Sequence, residues 1–385
     1  MRIAVTGAFG FSGKYIAQRL LALQHEVITL TNSPQRPNPF GGSIEAFPYN
    51  FSAPHELEKS LRGIDALINT YWVRFDNPPH FTFVQALANS KVLFDAAKRA
   101  GVSRVVHISI TNPDRKSRLP YFRGKAELED YLKKTGISYA ILRPAVLFGK
   151  EGILINNIAW ALRRLPVFGI YGSGQYRLQP IYIDDLAVAA IDGITQPANE
   201  ISDAIGPETY SYREMVEMIA HEIGSRALIA PMPPMFAYQG VRVLGWMVGD
   251  VINTPDEVRG LMQEKLYVQS PPLGTTRLSD WVRASREEIG RRTPASCSVV
   301  ATERALSITR HSLLVARDDP SGTSSFTRCP ISGTAAGLRR SRRDTQHGAR
   351  SSGSSPTSRP ASPRERRPRA RPRSFPPTRR ATRRG

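Results

Sequence analysis

Short apolar runs alternate with amphipathic stretches along the first half of the chain. Arg2–Thr6 (RIAVT) is apolar and β-rich, and it runs into Gly7-Ala-Phe-Gly-Phe-Ser-Gly13. Lys14–Leu23 follows with Ile16, Leu20, Leu21 and Leu23 at helical spacing, and Glu26–Leu30 reads as a second strand. The same alternation continues. Ser43–Tyr49 predicts a strand, His55–Leu61 a helix and Ala66–Thr70 a buried strand. Pro79–Ala100 predicts a long helix ended by Gly101, and Arg104–Ser109 another strand. Tyr121–Thr135 predicts a helix stopped by Gly136, and Ser138–Arg143 a further strand. Strands alternating with helices argue an α/β fold with a doubly wound parallel sheet. From Gly149 onward the pattern loosens, broken by Pro166, Gly172 and Gly174 and again by Pro231–Pro234. This half predicts a small cap over the C-terminal edge of the sheet, where ligands bind in such folds.

Charge divides the chain differently. The formal net charge is +20. Thr293–Gly385 holds 20 Arg, no Lys and five acids, a net +15, which leaves only +5 for Met1–Arg292. The tail is rich in Ser, Pro, Thr and Ala and poor in apolar residues after about Ala316, so it cannot bury enough surface to offset its ordering entropy. Arg without Lys is what a GC-rich gene gives when read out of frame, and the tail reads either as such a product or as a disordered extension. Nucleic-acid binding by it would be phosphate-driven and salt-sensitive, and no specific nucleic-acid partner is expected. Both cysteines, Cys297 and Cys329, lie in the tail, so neither a disulfide framework nor a thiolate metal site is implied for the body. The histidines show no ligand spacing, and no metal is expected. The chain opens on a strand with no secretory signal before it, and a cytoplasmic location is expected. No apolar run reaches transmembrane length. The nearest candidate, Ala227–Ile252, is broken by Pro231, Pro233, Pro234 and Arg242.

The N-terminal strand, glycine turn, helix and strand form a βαβ unit of the kind that binds a dinucleotide. One glycine allows the tight turn, one lets the backbone approach a pyrophosphate, and one lets the helix pack close to the strand. The helix N-terminus offers free N–H groups and a positive dipole end to phosphates. A second pattern follows the Arg104–Ser109 strand. Tyr121-Phe-Arg-Gly-Lys125 opens a helix, and Lys125 lies one turn beyond Tyr121 on the same face. A lysine there favours the phenolate and lowers the tyrosine pKa. Ser109, at the strand end, can hydrogen-bond a substrate carbonyl or hydroxyl. Together the three would move a proton while a nicotinamide moves a hydride.

These residues resemble the short-chain dehydrogenase/reductase superfamily in its extended and atypical branches, over Met1 to roughly Arg292. Thr6–Gly13 resembles its TGxxGxxG turn, and Val105–Ser109 its catalytic-serine strand. Asn89 stands where the family often has a structural Asn. Arg143-Pro144 with Phe148-Gly149 resembles the LRP…YG segment along the nicotinamide. Pro180–Ala187 resembles its VHVDDVA segment. Within the superfamily the closest likeness is to the epimerase/dehydratase-like group that contains the Rossmann accessory subunit of respiratory complex I, with NmrA-like redox sensors more distant. The resemblance implies a Rossmann domain over 1–150, remaining strands, helices and a substrate cap over 151–292, and the basic tail over 293–385. It implies a catalytic set of Ser109, Tyr121, Lys125 and Asn89. The cofactor contacts it implies are Thr6, Gly7, Phe9, Gly10, Phe11 and Gly13, then Asn32, Ser33 and Arg36, then Asn50, Asn69, Thr70, Pro144 and Val146.

The departures matter. The acid expected after the second strand, which would bind a ribose 2′-OH, is missing from Leu30-Thr31-Asn32-Ser33. Neutral groups with Arg36 nearby accept a 2′-phosphate instead, so NADP is favoured over NAD. Asn50 replaces the acid after the third strand. Tyr71 and Trp72 stand where small residues are usual; they either narrow the site or pack in the core, and packing is favoured. Asp184-Asp185 reads as a helix N-cap rather than a metal pair. Met232–Met247 reads as a cap wall that could line a site for an apolar quinone or isoprenoid, leaving a peripheral membrane or quinone link open. The leading expectation is hydride transfer on an unidentified small carbonyl or hydroxyl substrate, by an oxidoreductase or sugar epimerase/dehydratase. The alternative is a non-catalytic dinucleotide-binding subunit or redox sensor.

Overall fold

A computed structural model describes residues 1–78, 80–236, 238–239 and 254–291. The expectations for the tail, for Pro79 and for most of Met232–Met247 lie outside the described residues. Seven parallel strands form the central sheet, in the order β3 (Glu45–Pro48), β2 (Glu26–Thr31), β1 (Arg2–Thr6), β4 (Ala66–Asn69), β5 (Arg104–Ile108), β6 (Ser138–Pro144) and Glu200–Ala204. The reversal of strand order falls at β1, whose Ile3 pairs with Val27 on one side and Ala66 on the other. That reversal is the switch point at which doubly wound sheets open a crevice for ligands.

Strands β4 and β5 are buried along their whole length, as their unbroken apolar runs require for a sheet covered on both faces. Helix α1 (Phe11–Ala22) and the later helix Ile183–Thr195 cover one face through Ile16, Leu20, Leu186 and Ala190. Helices α2 (Pro54–Leu61), α3 (Phe83–Ala100) and α4 (Pro120–Thr135) cover the other through Leu57, Phe94, Leu128 and Leu132.

The second half does more than cap the sheet. After β7 (Val146–Phe148), α5 (Ile153–Arg164), β8 (Val167–Tyr171), β9 (Arg177–Leu178) and β10 (Pro180–Tyr182), the chain returns to the main layers. There it supplies α6 (Ile183–Thr195) and the edge strand β11 (Glu200–Ala204), which pairs with β6. Then come β12 (Tyr210–Ser211), α7 (Tyr212–Glu222), β13 (Leu228–Met232), α8 (Pro255–Met262) and α9 (Leu278–Ala284). Ile155, Ile158, Met215, Val216 and Val282 form a separate core among these later elements.

Several ends differ from the expected ones for local reasons. Helix α1 starts at Phe11 because the glycine turn itself enters the helix, with Gly10 as N-cap. Helix α3 starts at Phe83, where Thr82 accepts from the Gln85 amide and Asp76 from the Phe83 amide. Neither Asp184 nor Asp185 is the N-cap of α6; Tyr182 is. Asp184 instead pairs with Arg19 of α1, and Asp185 accepts from the amides of Thr275 and Thr276. Among the described residues no helix is long and apolar enough to cross a membrane, and no cluster of metal-ligating side chains occurs.

Candidate functional site

The glycine turn sits at the C-terminal end of β1. Gly7 has φ +66°, a left-handed conformation that favours glycine, and its amide donates to Leu30 O at 2.8 Å. The Ala8 amide donates to the Thr29 hydroxyl at 3.0 Å, which ties the turn to β2. A Cβ on Gly13 would lie 2.2 Å from the Gly7 carbonyl oxygen and 2.9 Å from Ala8 Cα. The bare backbone at Gly13 therefore lets α1 close onto the turn. The first amides of α1 have no partners within the helix, as at any helix N-terminus.

Polar side chains brace this region from behind. Thr6 Oγ1 accepts from the amides of Thr70 (2.7 Å) and Tyr71 (2.9 Å), and the Thr70 hydroxyl donates to Thr6 O. Asn69, fully buried, contacts Thr6 and His107 Nδ1. Burial lowers the His107 pKa, aided by the nearby Lys125 charge, so the imidazole is neutral.

A cavity of about 1000 Å³ opens off the turn. Of the expected residues, Gly7, Gly10, Phe11, Gly13, Thr70, Tyr121 and Val146 line it. Thr6 and Asn69 lie behind the wall as braces. Phe9 packs near Phe40, and Pro144 ends β6 with its carbonyl accepting from the Thr111 amide. Asn32 and Arg36 are exposed in the segment after β2, where the Arg36 amide donates to Ser33 O. Asn50 has φ +45° after β3. Trp72 also lines the cavity, as do Tyr49, Phe83 and Phe122, which the sequence did not single out. Tyr49 follows the carboxyl end of β3, so the rule that ligands bind beyond strand ends could have found it. Tyr71 and Trp72 do pack against the core, as expected, and they also form cavity wall.

The expected catalytic set is not gathered on that wall. Ser109 is buried, and its hydroxyl donates to Glu129 Oε1 at 2.6 Å. Glu129, also buried, receives both arms of Arg143, at 3.0 and 2.5 Å. Lys125 is 2% exposed, and its Nζ donates to Ile108 O at 2.8 Å. The Trp72 ring covers Lys125, 4.6 Å from Nζ to the ring centroid. This approach depends on Gly124, whose added Cβ would stand 3.2 Å from the indole. Asn89 donates to the Tyr71 hydroxyl at 2.9 Å and does not line the cavity. Tyr121 stands edge-on to Trp72 and Phe83, and burial raises its pKa, with Glu257 adding to the effect. The expected lowering by Lys125 is thus reversed, because apolar rings surround the phenol and the ammonium is turned toward β5.

Burial lowers the Lys125 pKa to about 7, against the attraction of Glu129. Above that value the folded chain has released a proton that the unfolded chain still binds, up to the ordinary lysine range. Stability from this group therefore rises with pH across that window. The urea midpoint is expected to climb between about pH 7 and about pH 9.5, and Lys125→Met should flatten the climb. His107, depressed below its ordinary value, acts only at lower pH. A wild-type midpoint that is level or falls across the window would contradict the assignment.

Residues 7–157 match the family model described as NAD(P)H-binding. A mitochondrial NADH dehydrogenase [ubiquinone] 1 alpha subcomplex subunit 9 of Arabidopsis thaliana is 22% identical over 56% of each chain. The match thus spans little more than half of that relative's length. The mitochondrial NADH-ubiquinone oxidoreductase 40 kDa subunit of Neurospora crassa is 25% identical over 66% of this chain and 68% of its own. Among solved structures, the Citrobacter sp. triphenylmethane reductase complexed with NADP(H) superposes with a TM-score of 0.59 at 18% identity. It covers 74% of this chain and 99% of that one. The chain shares the fold of that reductase.

Proposed function

We propose that this chain holds a nicotinamide dinucleotide without turning it over, as a subunit or assembly partner of a larger complex. The observation that carries the reading is the commitment of Ser109 to Glu129 and of Lys125 to the Ile108 carbonyl. Both groups are buried and neither lines the cavity. A proton relay through them would first have to break these bonds and displace Trp72. The glycine turn, by contrast, is built to receive a pyrophosphate. NADP(H) is the preferred form: Asn32, Ser33 and Arg36 follow β2 with no acid among them, and Arg36 is exposed without an ion pair among the described residues. The likeness to complex I subunits supports association with a multi-subunit partner. The absence of cysteine from Met1–Arg292 suits a reducing compartment, the cytoplasm included.

A competing reading, hydride transfer, is favoured by one observation: Tyr121 lines the cavity. Titrating the full chain with NADPH and NADH by nicotinamide fluorescence separates the two. Ser109→Ala and Tyr121→Phe should leave NADPH affinity within about twofold of wild type. Arg36→Ala should weaken NADPH about tenfold, roughly 1.4 kcal/mol, with little change for NADH. Steady NADPH oxidation by a carbonyl compound, abolished in Tyr121→Phe, would establish the enzyme instead.

A further inference from the structure

We infer that the half of the cavity away from the glycine turn takes an uncharged, planar aromatic ligand. The inference rests on the proposed dinucleotide occupying the glycine half. Four rings, Trp72, Phe83, Tyr121 and Phe122, meet in the cavity wall. Trp72 lies 6.4 Å from Phe83 and 6.1 Å from Tyr121, measured between centroids. Tyr121 lies 5.6 Å from Phe83 and 5.8 Å from Phe122, and three of the four ring contacts among these residues are edge-on. Such an arrangement presents ring faces and edges to an incoming flat molecule. Ile110, Leu119 and Leu266 extend the wall and pack with Phe122.

Charge excludes the main alternative class. Among the described residues, the charged ones lining the cavity are Arg74, Asp76, Asp256, Glu257 and Arg259. Arg74 is paired with Glu257 at 2.7 Å, and Arg259 with Asp256 at 3.0 Å. Asp76 accepts from the Phe83 amide. Among the described residues the wall therefore carries more acid than base, and both guanidinium groups already face carboxylates. A nucleoside-diphosphate sugar or an acyl-CoA brings two or more negative charges into such a site. Its phosphates would have to compete with the dinucleotide for the glycine turn, since the far wall offers no counter-charge in excess. An uncharged ring system meets no such penalty, and its burial is favourable in proportion to the apolar area removed from water. Tyr121, held neutral by burial, adds one hydroxyl that can donate to a carbonyl or hydroxyl on the ring.

The test uses the full chain saturated with NADPH, with saturation checked by nicotinamide fluorescence. Equilibrium dialysis then compares 2-naphthol, uncharged at neutral pH, with UDP-glucose. The expected result is saturable binding of about one 2-naphthol per chain, at least about tenfold tighter than UDP-glucose. Phe83→Leu and Phe122→Leu, each checked for retained NADPH binding, should weaken 2-naphthol by about tenfold or more. UDP-glucose binding as tightly as 2-naphthol overturns the inference, and so does 2-naphthol binding that neither variant changes. If NADPH itself does not bind, the dinucleotide reading fails separately. The 2-naphthol comparison on the nucleotide-free chain then still decides the aromatic half by the same two criteria.

Discussion

A Gly13→Ala chain is expected to lose at least about a hundredfold in NADPH affinity, near 2.7 kcal/mol, while Gly10→Ala loses binding with less damage to the fold. The difference comes from the two neighbourhoods. A methyl group at Gly13 would be placed 2.2 Å from the Gly7 carbonyl oxygen and 2.7 Å from its carbon, both backbone atoms that cannot rotate away. Helix α1 must move off the turn, and the amides aimed at the pyrophosphate move with it. At Gly10 the same methyl would stand 3.2 Å from the Gly7 oxygen, a contact that small shifts relieve. Its φ of −93° is also open to alanine. Overpacking of this kind costs about 1–3 kcal/mol in stability, and Gly13→Ala belongs at the upper end. Thermal unfolding and nicotinamide fluorescence on both variants give the check. A Gly13→Ala chain that keeps wild-type stability and NADPH affinity would show that the turn tolerates a Cβ at Gly13 and that the close approach of helix to strand is not needed.

The second large effect is expected at Glu129. This carboxylate is 1% exposed and collects the Ser109 hydroxyl and two guanidinium nitrogens of Arg143. Glu129→Leu leaves the Arg143 charge and the Ser109 hydroxyl without their acceptor. Removing one partner of a buried pair costs about 3–5 kcal/mol. Arg143 retains some solvent contact, with 26% of its side chain exposed, which places the loss near about 3 kcal/mol. Replacing both partners, Glu129→Leu with Arg143→Met, should cost clearly less than the two single changes added together. Urea unfolding of the three variants measures this coupling. Additive losses would mean that the pair holds nothing in common.

The alternation of short apolar runs and amphipathic stretches was enough to place β1 to β6 and α1 to α4 within a few residues, because the central strands β4 and β5 are buried along their whole length and the helices bury one face against the sheet. What could be read less well lies after Gly149. There α6 and β11 rejoin the main sheet, and the local pattern carries no mark of which earlier strand receives them. Asp184 shows the same limit: its spacing suggested a cap, whereas its partner is Arg19, 165 positions earlier. The glycine turn was legible because its work is done by backbone and short-range contacts. The Ser109, Tyr121 and Lys125 trio was legible as a spacing only. Its disposition depends on Trp72, which arrives from the end of β4, and on Arg143 from β6. One signal was present in the sequence: Glu129 stands one helical turn after Lys125, on the same face, where a carboxylate could draw both the serine and the arginine inward.

Titration of the full chain with NADPH, followed by nicotinamide fluorescence and by absorbance over time, bears most directly on the proposed role. Saturable binding near one nucleotide per chain is expected. It should be retained in Tyr121→Phe and lost in Gly13→Ala, with no consumption of the bound nucleotide in the presence of carbonyl compounds. A chain that shows no saturable binding, or one that oxidises NADPH in a manner dependent on Tyr121, would contradict it.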